Sequence, residues 1–286
     1  MGGRVTGRHS TIMGEPAPLP KCKTLALERR GWTLRVTLNQ PDSRNALSAE
    51  MIGELDAVFN SIVDDKTLRA VVLRGSGGHF SAGGDLRRFA EAGKEKPKTI
   101  QASPHYLGAE RLSRLLERID ASPAVTVGVF EGATLGAAFG FLCVVDVAIA
   151  LDNAQFGITG NMYGVPPGPI VPFLVERFGL SLARRMALTG IKLGARDAFA
   201  LGLIHGLALD PESLEKRLNQ MLADIRRCAP GANRITKELL MQSRQAPRDQ
   251  LYSLGANAFA RALHGLEVKE GTAAFFEKRP PRWSEE

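Results

Sequence analysis

The sequence predicts an α/β protein whose carboxyl-terminal part is helical, and three observations carry that prediction. Short β-rich runs alternate with helical periodicity as far as Leu151. One stretch, Leu135 to Val145, is hydrophobic on every side, as a buried helix is. From Ile170 onward the pattern is predominantly helical, with breaks at Gly179, Gly190, Gly206, Pro211, Pro230 and Pro247. The 286 residues suit one large domain, and 44% hydrophobic with 23% charged residues is the balance of a soluble globular protein.

Met1 to Pro20 holds three prolines and four glycines if Gly7 is counted with Gly2, Gly3 and Gly14, and it lacks the apolar core of a secretory signal. Residues 1–20 therefore read as a disordered extension. Lys23–Arg29 and Trp32–Leu38 alternate apolar and polar residues around Gly31, the pattern of an antiparallel hairpin. Ser48 is an N-cap for a helix carrying Ile52, Leu55, Phe59 and Ile62 at helical spacing. Arg69 to Leu73 is a buried strand. Gly75 to Gly84 is a glycine-rich loop, Asp85 opens a further helical stretch, and Gly93 to Pro104 is an exposed mobile loop. Leu107 to Ile119 is an amphipathic helix, and Ala124–Phe130 and Val147–Leu151 are strands flanking the apolar helix.

Several function classes drop out. The longest apolar stretch, Ala133 to Leu151, is interrupted by Asp146, so no spanning helix and no membrane partner is expected. The net charge of +7 is spread among 30 acidic residues without a run of like charges, and only 6% of residues are aromatic. Nucleic acid is therefore not an expected partner, while a phosphate-bearing small molecule remains open. Cys22, Cys143 and Cys228 are odd in number and far apart, which fits a reducing cytoplasm. His79, His205 and His264 show no metal-ligand spacing, so no metal is expected.

Two segments carry chemistry. His79-Phe80-Ser81-Ala82-Gly83-Gly84-Asp85 and Glu131-Gly132-Ala133-Thr134-Leu135-Gly136-Ala137 each run from a strand through small residues towards a helix. Small residues let backbone N–H groups approach a ligand, and the start of a helix offers amides without internal partners. One amide from each junction would suffice to hold a carbonyl oxygen and stabilise an enolate or tetrahedral oxyanion. Neither nucleotide-binding glycine fingerprint is present.

From about residue 21 to 283 the chain resembles the crotonase (enoyl-CoA hydratase/isomerase) superfamily. The matching stretches are Leu38-Asn39-Gln40-Pro41 with Arg44-Asn45-Ala46-Leu47-Ser48, Phe80 to Leu86, Glu131 to Gly136, Asp146 to Ala150, Ala154-Gln155-Phe156-Gly157 and Ala274 to Arg279. Within it, the chain is most similar to isohexenylglutaconyl-CoA hydratases, on Phe139-Gly140-Phe141, Ile170 to Phe173, Cys228 to Asn233 and Lys278 to Trp283. The resemblance implies a ββα spiral core of two nearly perpendicular sheets over residues 21–210. It implies a helical region over 211–286 that drives trimerisation, with trimers able to pair as hexamers.

It also implies that the Gly84 and Ala137 amides form an oxyanion hole. Coenzyme A, part of the substrate rather than a prosthetic group, would lie along Arg44, Ala46, Leu47, Gly84, Asp85, Leu86 and Arg87. Phe275 and Lys278 would reach the CoA of a neighbouring subunit. The two glutamates of family hydratases fall on Gly140 and Gly160, so two-carboxylate hydration is expected to be disabled. His105, placed in the mobile loop, Tyr163, Asn161 and Asp152 are the candidate replacements. Loss of both glutamate side chains leads us to expect a roomier acyl site, suited to a bulky or branched acyl group. A decarboxylase, isomerase or hydrolase of the same superfamily is the alternative, and a catalytically silent acyl-CoA-binding homologue is another.

Overall fold

The structure is a computed structural model that describes residues 16–85, 90, 91 and 97–285. Most of the helical stretch expected after Asp85 lies outside the described residues, as do Leu86, Arg87 and residues 1–15. Residues 16–20, expected to be disordered, are tied down: the Ala17 amide donates to Asp65 at 3.1 Å, and Leu19 packs on the core.

The chain opens with the hairpin β1 (Leu25–Arg30) and β2 (Thr33–Leu38), turned by Gly31 at φ 53°. Helix α1 (Ala49–Ser61) starts where Ser48 accepts the Met51 amide at 3.1 Å, and it buries Met51, Ile52, Leu55, Val58 and Phe59. The strands β3 (Ala70–Gly75), β4 (Val125–Phe130), β6 (Val147–Leu151) and β9 (Gly206–Ala208) continue the sheet in the order β1-β2-β3-β4-β6-β9, parallel from β2 onward. Between β3 and β4 runs α2 (Pro104–Asp120). A second sheet has the order β5-β7-β8, from β5 (Ala133–Leu135), β7 (Gln155–Gly157) and β8 (Lys192–Gly194).

The alternation of side chains along β3 divides the interior. Val71 and Leu73 join the larger core with α1 and α2, whereas Ala70 and Val72 face Leu214, Leu218 and Ile225 of α6 (Pro211–Arg227). Burial on both faces explains the near-continuous apolar runs of β3 and β4.

Two expectations are corrected. The apolar stretch from Leu135 is not one helix. Its start is strand β5, Gly136–Ala138 is a 3-10 turn, and only Phe139–Val144 forms α3. Gly136 takes φ 55°, which ends the strand and breaks any helix through it. The segment reaching Pro104 is not loop to its end either. Ile100–Ala102 is a 3-10 turn, and Ser103 accepts the Tyr106 amide at 3.1 Å, so Pro104 opens α2. His105 thus stands in the first turn of a helix.

Beyond β7 come α4 (Val171–Thr189), kinked at Gly179, and α5 (Ala195–Ala200). The helices α7 (Pro230–Gln242), α8 (Arg248–Leu263) and α9 (Leu266–Phe276) follow α6. Three contacts fasten this helical end. Lys237 of α7 bonds Asp146 at 2.6 Å beside the sheet. Glu267 of α9 accepts the Gly231 and Ala232 amides at 2.7 and 3.0 Å, capping α7 from 36 residues away. The buried Arg69 guanidinium donates to the carbonyls of Ile225, Arg226, Cys228 and Trp283 and stacks 5.2 Å over the Trp32 ring. Helix α8 buries no residue and leaves Tyr252, Leu254, Phe259 and Leu263 exposed. Among the described residues no helix is long and apolar enough to cross a membrane.

Candidate active site

The two glycine-rich junctions meet side by side. Ser81 and Thr134 form a parallel β-bridge, in which the Ser81 amide donates to Ala133 at 2.8 Å and the Leu135 amide donates back to Ser81 at 3.2 Å. Three residues beyond that pair come Gly84 and Ala137, which therefore occupy equivalent positions on adjacent strips. In each strip a left-handed glycine stands immediately before the amide in question: Gly83 at φ 85° and Gly136 at φ 55°. A left-handed residue rotates the following N–H away from the ladder, and successive amides so arranged make an anion-binding concavity. Among the described residues neither the Gly84 nor the Ala137 amide donates a hydrogen bond within the chain. Both residues are half-buried, next to the fully enclosed Gly83 and Ala138.

The approach of the strips depends on Gly83. A methyl built on it would lie 2.2 Å from the Leu135 carbonyl oxygen and 3.3 Å from the Ala137 nitrogen. On the other side, the Ala82 amide donates to Arg44 and the Leu47 amide to Gly83, both at 2.9 Å. The segment holding Arg44, Ala46 and Leu47 is thereby laid along the Gly83 strip. Beneath, Phe80 packs 4.6 Å from Phe130 and 5.7 Å from Phe141, and Phe130 packs 5.8 Å from Phe156. These rings come from the first strip, β4, α3 and β7, so one aromatic cluster supports both junctions from the core side.

Two side chains inside the stretches singled out by the sequence have organising roles that it did not reveal. Asn45 is fully buried at φ 55°; its Nδ2 donates to the Ser76 and His79 carbonyls at 2.9 Å, and its Oδ1 accepts the Gln40 amide at 2.9 Å. Its own carbonyl accepts the Ser81 hydroxyl at 2.7 Å. His79 accepts the Ala133 amide on Nδ1 at 3.1 Å, which locks the second strip against the first loop. Only the long-range pairing reveals either role.

The space expected at Gly140 and Gly160 is not vacant. A methyl on Gly140 would meet Leu116 at 2.6 Å and Ile170 at 2.8 Å, both core residues. A methyl on Gly160 would meet the Val165 carbonyl oxygen at 2.4 Å, because the chain turns back there and Val165 donates to the Gly160 carbonyl at 3.0 Å. At Gly160 the backbone requires a glycine, whereas at Gly140 the ends of the Leu116 and Ile170 side chains fill the place of a Cβ, so neither position itself holds the open volume expected there.

Asp152 is paired with Arg196 at 2.9 Å, and Asn161 donates to the Ala187 carbonyl at 2.8 Å, anchoring the turn Gly160–Tyr163 to the end of α4. Tyr163 in the same turn is exposed, and so is His105 on α2. Asp85 is half-buried next to Gly84. Phe275 is exposed at the end of α9, with Lys278 just beyond it at φ 52°. Cys143 in α3 is no nucleophile, since complete burial pushes its thiol far up. A separate cleft of about 460 Å³ opens on the outer side of β1–β3, lined by Arg35, Arg74, Ser76 and Glu131 among others. There Arg74 is held by Glu131 and Glu215 at 2.9 and 2.7 Å.

The sequence profile of the enoyl-CoA hydratase/isomerase family matches residues 29–286. The chain belongs to that family. An enoyl-CoA hydratase/isomerase from Marinobacter aquaeolei superposes with a TM-score of 0.87 at 42% identity, over 92% of this chain and all of that one. Pseudomonas aeruginosa AtuE does so with a TM-score of 0.87 at 45% identity, over the same shares. Enoyl-CoA hydratase EchA19 of Mycobacterium tuberculosis is 30% identical over 90% of this chain and 95% of its own length. The two sheets and surrounding helices are thus the fold of the enoyl-CoA hydratase/isomerase family.

Proposed function

We propose that this enzyme binds an acyl-CoA thioester with its carbonyl oxygen between the Gly84 and Ala137 amides and stabilises the enolate formed there. The observation that carries the reading is the register of the two strips. It sets two amides without internal partners at equivalent positions, each behind a left-handed glycine. Two such donors aimed at one oxygen are worth several kcal/mol to a developing negative charge. Coenzyme A runs along Arg44, Ala46, Leu47 and Asp85, beside the strip that carries Gly84; Arg44 pairs with its phosphates. Phe275 and Lys278 serve a neighbouring subunit, and the exposed apolar residues of α8 and α9 supply the surface for a trimer.

The acyl group is a branched, isohexenylglutaconyl-like one, on the strength of Phe139-Gly140-Phe141 and the carboxyl-terminal motifs. Glycine at 140 and 160 leaves the site without the paired carboxylates of two-acid hydration. A proton-transfer part then falls to one of the candidates His105, Tyr163, Asn161 and Asp152. Decarboxylation is a second reading favoured by the same glycines. Loss of carbon dioxide delivers the enolate electrons without a base, and the two amides would hold the product enolate. Isomerisation and thioester hydrolysis would use the same hole.

Purified protein assayed against enoyl-, glutaconyl- and malonyl-type CoA thioesters tests this. Turnover of one class, lost when Gly83 is replaced, is the expected result. Tight CoA binding without any turnover would favour a silent acyl-CoA-binding homologue, and failure to bind any thioester would refute the reading.

A further inference from the structure

The pairing of the two strips slips just before Ser81, and there a side chain takes the place of the backbone. A regular parallel ladder would have the Ala133 amide donate to the carbonyl two residues before Ser81, that of His79. Instead Phe80, not His79, donates to the Glu131 carbonyl at 2.8 Å, and the His79 carbonyl turns to Asn45 Nδ2 at 2.9 Å. The Ala133 amide finds its acceptor in the imidazole, His79 Nδ1 at 3.1 Å. The ring lies hard against the turn, since a methyl built on Gly132 would come within 2.3 Å of Nδ1. The next two links are backbone ones, Ser81 to Ala133 and Leu135 to Ser81, and they lead on to the Gly84 and Ala137 amides. The half-buried His79 ring is thus the first rung of the ladder that sets their register.

Resting on the proposed acyl-CoA reading, we propose that His79 is a positioning residue that keeps the two oxyanion amides in register only while its imidazole is neutral, with the proton on Nε2. A ring nitrogen that accepts a hydrogen bond carries no proton, which fixes the tautomer. A protonated imidazole donates from both nitrogens, so its Nδ1–H would face the Ala133 N–H, donor against donor. The strips then lose their first link, and the Ala133 amide is left without an acceptor beside the Gly132 turn. The charged groups on the segments around the ring are Glu131, held by Arg74 at 2.9 Å, and Asp152, held by Arg196 at 2.9 Å. Asp42 and Arg44 stand on the turn against which Gly77 packs, and Asp85 lies farther along the loop itself. Asn45 and Asn153, which bond the loop and the Gly132 turn, are neutral. Among the described residues the imidazole is the acceptor of the Ala133 amide, and no carboxylate replaces it.

The test compares pH profiles of kcat/KM for acyl-CoA turnover in the unaltered protein, His79→Asn and His79→Leu, with thermal melting to check that each variant folds. Asparagine sets Oδ1 as many bonds from the backbone as Nδ1 and accepts without titrating, whereas leucine accepts nothing. At about pH 8, His79→Leu is expected to lose about 100-fold, the cost of an error of about 1 Å between groups acting on one atom. His79→Asn should recover to within about fivefold of the unaltered protein. On the acid side the unaltered protein should fall by up to about tenfold per pH unit relative to His79→Asn, converging on His79→Leu. Ionisation of the thioester's own phosphates is common to all three proteins and cancels in that comparison. Nitrogen-15 spectra of the free protein should show Nε2 protonated and Nδ1 bare at about pH 8. Equal losses in both variants, an acid limb that His79→Asn shares in full, or a proton on Nδ1 would each overturn the role of His79, while turnover leaves the acyl-CoA reading standing. Absence of turnover of every thioester by the unaltered protein overturns that reading and this inference together.

Discussion

Replacing Gly83 by alanine isolates the geometry of the paired strips from any side-chain chemistry. Gly83 has φ 85°, and the added methyl would lie 2.2 Å from the Leu135 carbonyl oxygen. An ordinary carbon–oxygen contact is about 3.3 Å, so the strips must part by about 1 Å. The left-handed backbone costs about 1–2 kcal/mol for a residue with a Cβ, which for a chain of this size lowers Tm by roughly 2–8 °C. The functional loss should be larger. An error of about 1 Å between groups that act on one atom costs about 100-fold in rate. The expected result is a folded Gly83→Ala enzyme with kcat/KM down by about two orders of magnitude, followed by acyl-CoA turnover and checked by thermal melting. A variant that melts lower but keeps kcat/KM within about threefold would refute the claim that the register of these strips sets the site.

Three further outcomes follow from contacts described above. Gly160→Glu, which reinstates an acid where family hydratases are expected to carry one, should destabilise the protein by about 1–3 kcal/mol and give no gain in hydration, because the Val165 carbonyl occupies the place of its Cβ; urea melts and a hydration assay read both effects. Asn45→Ala strips three hydrogen bonds from a buried residue and should cost about 3 kcal/mol or more in denaturant unfolding, with a matching fall in activity as the loop at 76–79 loosens. Asp65 supplies a pH dependence. Burial would raise its carboxyl, but the Arg29 guanidinium, Thr67 and the Ala17 amide outweigh that and hold it well below the usual range. A depressed carboxyl contributes stability in full above its unfolded value of about 3.9, and that contribution is lost as pH falls towards the folded value. Unfolding followed from pH 6 to pH 2 should show stability falling below about pH 4, with a flatter acid limb in Asp65→Asn.

The elements most legible in the sequence are those whose signal is local. Ser48 ahead of Ile52, Leu55 and Phe59 states where α1 begins and which face it buries, and the Gly31 hairpin is equally plain. The apolar run from Leu135 to Val145 reads as one buried helix and is not, because a run hydrophobic on every side suits a buried strand as well as a helix. It holds both, divided by the left-handed Gly136. Strand β8 has three residues and no alternation, so only its pairing with β7 defines it. At the site, small residues at 81–84 and 132–137 marked both junctions. What they could not convey is that Leu116 and Ile170 fill the space beside Gly140 and that the Val165 carbonyl closes on Gly160. The parts played by Asn45 and His79 likewise arise from partners distant in the chain.

Arg69 has a practical consequence. Its guanidinium grips the last turn of α6 and the Trp283 carbonyl, while its backbone leads directly into β3, which ends at the loop feeding Gly83 and Gly84. Trp283 is therefore mechanically continuous with the strand that leads to one of the two glycine-rich junctions. Loosening the Trp283 contact would be felt at the start of β3, far along the chain from it.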